Sequence, residues 1–114
     1  MSRDFIVAEW ERRRRVLSDL WRYLSALKEA VLELDPDAEV YLFGSAARGD
    51  MRPDSDVDVL VVSDRYGGDL RRIAELLVRV EERLGVTGIF EIHVATREQY
   101  EGWYKRHIDV KVRL

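Results

Sequence analysis

The sequence contains no cysteine, so neither a disulfide framework nor a thiolate metal site can be built, and nothing points to an oxidising compartment. No apolar stretch reaches about 18 residues, the length a membrane-spanning helix requires. The amino terminus "MSRDFIVAEWERRRR" lacks the apolar core of a signal peptide, and the cytoplasm is the expected compartment. An excess of positive charge is missing too. The formal net charge is -3, which argues against nucleic acid as the main partner and leaves room only for a local basic patch. Lysine is scarce, most of the positive charge being arginine, a bias that carries no functional conclusion. There is no internal repeat, low-complexity segment or long Gly/Ser linker; Gly67 and Gly68 make only a local turn.

What is present suits one core. The chain has 114 residues, 46% hydrophobic and 36% charged, which is enough to bury an interior and cover it with solvated charge. A single domain over residues 1–114 is expected. From Arg3 to Leu34, apolar residues recur at Val16, Leu17, Leu20, Trp21, Leu24, Leu27 and Val31. This is the spacing of one helix face, and it predicts a long opening helix. Pro36 ends it in the turn "LDPDAEV". A strand follows from Glu39 through "VYLFG", and a second is read in "DVDVLVV". Between Asp69 and Gly85, Leu70, Ile73, Leu77, Val80 and Leu84 predict a second helix, with Asp69 as N-cap and Gly85 as stop. "GIFEIHVAT" alternates as a third strand. A short helix from Arg97, capped by Thr96, leads to a last strand or docking tail through Val110, Val112 and Leu114. Helix, strand, strand, helix, strand gives an α/β chain of the α+β type, a small mixed sheet with flanking helices.

The second strand has one unusual face. Asp56, Asp58 and Leu60 alternate with Val57, Val59 and Val61. Residues two apart in a strand point the same way with α-carbons about 6.5 to 7 Å apart, so the two carboxylates can converge. Their repulsion would raise one pKa unless a cation intervened. Mg²⁺ suits hard oxygen donors and keeps open positions for phosphate oxygens and water. Two such ions, about 3.5 to 4 Å apart, can clamp the attacking and leaving oxygens of a phosphoryl transfer. Glu91, on the polar face of the third strand beside His93, would complete the set. The alternative is an ordinary solvated face of an edge strand.

Gly44 and Ser45 end the preceding strand and lead into "AARG". Backbone amides at such a turn bind phosphate; Gly44 permits close approach, Ser45 offers amide and hydroxyl, and Arg48 adds a cation. A plain strand-ending glycine turn would look the same.

Gly44, Ser45, ten residues, Asp56, one residue, Asp58 is far more specific than either half. It resembles the signature of the minimal nucleotidyltransferases of the DNA polymerase β superfamily, and "FGSAARGDMRPDSDVDVLV" is similar to that family's strand, turn and strand almost throughout. The resemblance implies the nucleotidyltransferase fold and a Mg-dependent enzyme that moves a nucleoside monophosphate from ATP to an acceptor hydroxyl. It implies Gly44, Ser45 and Arg48 on the nucleotide phosphates and Asp56 and Asp58 on metal. The third carboxylate falls on Glu91, where the family more often has Asp. Small members commonly act as antitoxins that adenylylate a tyrosine on a helical HEPN partner, so the same is expected of this chain, with a small-molecule acceptor as a lesser option. A non-catalytic binding module that neutralises its partner by complex formation is the alternative class.

Other features carry milder expectations. The run Arg12 to Arg15 reads as a solvated helix face, with an acidic partner or RNA as the alternative. His93 reads as a polar surface residue and stays outside the catalytic set. Trp10, Trp21, Trp103, Tyr100 and Tyr104 are expected in the core, an exposed subset marking a partner surface. Asp50, Asp54 and Asp64 read as turn or surface residues.

Overall fold

The computed structural model describes residues 2–114. Its opening helical stretch is two helices rather than one, α1 (Arg3–Ser18) and α2 (Leu20–Leu34). The break falls at Asp19 (φ -127°, ψ 35°). Ser18 Oγ bonds back to the Arg15 carbonyl at 2.8 Å, and the Asp19 N–H takes the carbonyl of Val16, three residues back. Serine and aspartate side chains offer the backbone alternatives to the helical ladder, and two in succession interrupt it. The consequence is a division of labour: α2 buries Leu24, Leu27, Ala30 and Val31, whereas α1 buries only Val16.

Strand β1 (Glu39–Phe43) is followed by a short helical turn, α3 (Gly44–Arg48), and by β2 (Val57–Val62). Helix α4 (Leu70–Leu84) then crosses over to β3 (Phe90–Ala95). Its ends are those expected: Asp69 Oδ1 accepts from the Arg71 N–H at 2.9 Å, and Gly85 closes it at φ +69°. Thr96 and Gln99 form a reciprocal capping box on α5 (Arg97–Gln99). A π-helical turn (Tyr100–Tyr104), α6 (Lys105–His107) and β4 (Lys111–Arg113) complete the chain.

The sheet order is β3-β2-β1-β4. β1 runs antiparallel to both β2 and β4, while β2 and β3, joined through α4, are parallel. The final segment is thus a short edge strand on β1. The sheet's two faces are filled differently. Val57, Val59 and Val61 of β2 join Val40, Leu42, Leu27, Leu76 and Val80 in the larger core, beneath α2 and α4. On the opposite face, Leu60 and Val62 join Tyr41, Ala95 and Tyr100 under the carboxyl-terminal segment. Tyr41 and Tyr100 stack there with ring centroids 5.7 Å apart.

The tryptophans are not core residues. Trp10, Trp21 and Trp103 are 50%, 60% and 55% exposed, and of the aromatics grouped with them only Tyr100 is fully buried, with Tyr104 half-buried. Leucines and valines of α2, α4 and the sheet, among them Leu24, Leu27, Val31, Leu76 and Val80, make up the interior instead. No helix among the described residues is long and apolar enough to cross a membrane.

Candidate active site

Asp58 lies on the face of β2 that also carries Leu60 and Val62, at the end the carboxyl-terminal segment leaves partly open. Parallel register sets it directly opposite Glu91, and Leu60 opposite His93. Neighbouring strands are about 4.8 Å apart, so the two acidic side chains stand side by side. Ligand atoms of Asp58, Glu91 and His93 all lie within 4.8 Å of one another, with His93 Nε2 3.6 Å from Glu91 Oε1. His93, which shares Glu91's face in the sequence but reads there as a surface residue outside the catalytic set, is the third member of this group. Its two-residue spacing from Glu91 was the available signal, and its edge contacts with Phe43 and Tyr104, at 5.4 and 6.1 Å, hold the ring there.

The Asp58 carboxyl is held above the usual carboxylate range. Burial contributes most, then a hydrogen bond with Glu91 and the Glu91 charge; His93 acts in the opposite sense, and Asp56 adds a smaller repulsion. Two oxygen ligands that repel one another, with an imidazole alongside, fit a hard divalent cation, which would relieve that repulsion.

Asp56 sits apart from this group. β2 begins at Val57, so Asp56 belongs to the approach to the strand rather than to its pleat. Its exposed carboxylate faces Arg13 of α1, with Oδ1 3.7 Å from Arg13 Nη2.

Gly44 adopts φ +70°, and a side chain there would put its Cβ 3.0 Å from Asp58 Cγ and closer still to Oδ2. The glycine backbone therefore packs against the acid, and α3 starts at the edge of the carboxylate group. The Ser45 carbonyl accepts from the N–H groups of Gly49 and Asp50, at 2.9 and 3.1 Å, which closes the turn. Arg48 is tethered by Asp50 (3.2 Å) and Asp109 (3.8 Å). It stands on the rim of a cavity of about 290 Å³ that includes Phe43, Gly44, His93, Trp103 and Tyr104. A larger groove, about 720 Å³, lies elsewhere, between α1 and residues 51–53.

Half of the arginine run faces inward. Arg12 donates to the Thr87 carbonyl at 3.1 Å and Arg13 to the Pro53 carbonyl at 2.7 Å, because the loops before β2 and β3 present free carbonyls beneath α1. Arg14 and Arg15 are exposed, as a solvated face requires. Asp50 and Asp54 are exposed as expected, and Asp64, also exposed, accepts from the Arg97 N–H at 2.8 Å.

A four-stranded mixed sheet with opposed carboxylates at one strand end, beside a Gly-Ser turn, has counterparts among known proteins. The family model described as "Nucleotidyltransferase domain" matches residues 24–113. A crystal structure of a candidate nucleotidyltransferase is 33% identical, covers 80% of this chain and 96% of its own, and superposes with a TM-score of 0.64. A second candidate nucleotidyltransferase, from Sulfolobus solfataricus, is 26% identical over 86% of this chain and 84% of its own, with a TM-score of 0.55. No curated protein matches the chain significantly. The chain belongs to the nucleotidyltransferase domain family.

Proposed function

We propose that the chain is a Mg²⁺-dependent enzyme that transfers AMP from ATP to an acceptor hydroxyl. The observation that carries this reading is the meeting of Asp58 and Glu91 across the β2–β3 register, with Gly44 packed against the first of them.

In this reading Asp56, Asp58 and Glu91 hold the metal, which would supply neutralisation of charge on the phosphate oxygens. The amides of Gly44 and Ser45 cradle the phosphates, and Arg48 leaves Asp50 to pair with them. The acceptor oxygen attacks the α-phosphorus and forms the new P–O bond. The bond from that phosphorus to the α–β bridging oxygen breaks, and pyrophosphate departs. Glu91 takes the hydroxyl proton, since it is the more exposed of the two opposed acids and meets solvent and acceptor first.

The acceptor proposed is a tyrosine hydroxyl on a helical partner of the HEPN type, with the chain acting as antitoxin. Phe5, Ile6, Val7 and Trp10, each about half exposed on α1, give such a partner an apolar surface to cover.

The test is incubation with α-labelled ATP, Mg²⁺ and the protein encoded beside this one, comparing wild type with Asp56→Ala and Asp58→Ala. Label on the partner with wild type and none with either variant is expected. Unchanged labelling by both variants would sink the metal-site assignment. A stable complex without any labelling would replace the enzyme by a binding module.

A further inference from the structure

Arg13 occupies a position the reaction above does not use. Its Nε donates to the Pro53 carbonyl at 2.7 Å and its Nη1 to the Gly88 carbonyl at 3.4 Å. Its Nη2 is buried, lacks a hydrogen-bond partner among the described residues, and stands 3.7 Å from Asp56 Oδ1. The side chain is only 16% exposed, against 54% for Asp56. A buried guanidinium nitrogen without an acceptor is costly, and the nearest acid is the one carboxylate of the signature that does not join Asp58 and Glu91. Pro53 lies in the turn that leads to Asp56, and Gly88 lies three residues before Glu91. One rigid fork therefore spans both segments that deliver acids to the site.

We propose that Arg13 is a positioning residue: in the metal-free protein it serves as the internal counter-ion of Asp56, holding it apart from the Asp58–Glu91 pair, and yields it when a divalent cation binds. The inference rests on the reading of Asp56 as a metal ligand. A cation entering the site competes with the guanidinium for the same carboxylate, so Arg13 weakens cation binding while keeping the approach to β2 in place.

Mn²⁺ alone, titrated into the full chain and followed by the paramagnetic resonance of the free ion, tests this without any turnover. Arg13→Gln should bind Mn²⁺ about 2- to 5-fold more tightly than wild type, the scale of a partly exposed ion pair. Arg13→Lys, which keeps the charge, should stay close to wild type. In an Asp56→Asn background the Arg13→Gln gain should vanish. Unchanged or weaker binding by Arg13→Gln would overturn the proposal. So would an equal gain in the Asp56→Asn background, because that would be the effect of removing any nearby positive charge. If Arg13→Gln does not fold, as judged by circular dichroism, Arg13→Lys decides: binding as tight as that expected of the glutamine variant overturns the proposal. Asp56→Asn alone separates the two readings, since Mn²⁺ affinity unchanged by it removes the metal-ligand role of Asp56 itself.

Discussion

Gly44 is packed against the carboxylate of Asp58: its φ of +70° and the acid beneath it leave no room for a β-carbon. Two features of the sequence fourteen positions apart are thereby one structural unit, in which the glycine that follows β1 and opens α3 seats the acid near the start of β2.

Gly44→Ala should therefore fail twice. A left-handed conformation costs a non-glycine residue about 1 to 3 kcal/mol, and the new methyl pushes Asp58 out of line with Glu91. The urea midpoint should fall accordingly, and Mn²⁺ binding should be lost even at temperatures where the variant is folded. Wild-type affinity in a folded Gly44→Ala protein would show that the close packing is not needed.

Asp58 should make stability depend on pH in an inverted sense. Its folded-state pKa is raised by burial, by the hydrogen bond with Glu91 and by that residue's charge. The stability this group contributes is complete below its unfolded pKa and lost as pH rises through the folded one. Asp58→Asn should thus melt higher than wild type at pH 7 without metal, and the difference should shrink as pH drops toward 4. Added Mg²⁺ should raise the wild-type melting temperature and leave Asp58→Asn unmoved. Thermal melts from pH 4 to 8 check both statements.

Asp35 offers a control far from the site. It is 4% exposed, accepts from Ser63 Oγ at 2.6 Å and from the Asp37 N–H at 3.0 Å, and lies at the sheet end opposite Asp58. Asp35→Ala should cost about 1 to 3 kcal/mol through donors left without partners, measured by urea unfolding. Mn²⁺ affinity of the folded fraction should be unchanged.

The exposure of all three tryptophans predicts the intrinsic fluorescence. Trp10, Trp21 and Trp103 should emit close to free tryptophan and be quenched readily by acrylamide in the native protein. A blue-shifted, poorly quenched spectrum would mean that at least one of them is covered, by a second copy or by rearrangement of α1.

Much of the fold was legible because its signals are local. Asp69 and Gly85 bracket α4, Thr96 caps α5, and the alternation in β2 separates Val57, Val59 and Val61 from the face that carries Asp58 and Leu60. The break at Asp19 escaped because the apolar spacing runs on across it. Asp56 escaped for a different reason: alternation cannot tell where pairing begins, and the ladder starts one residue later. The inward turn of Arg12 and Arg13 depends on carbonyls that belong to loops some forty and seventy-five residues away, which no window along the chain contains.

The sequence by itself determined α4, the three longer strands, the glycine turn and the acidic side chains available to the site, because propensity, periodicity and side-chain chemistry act within a few residues. Only the tertiary structure decided which donors meet. Asp58 and Glu91 face each other, and Asp56 faces Arg13, through strand register and helix docking. Those are set by packing two faces of a sheet at once, and that packing is a property of the whole core rather than of any segment.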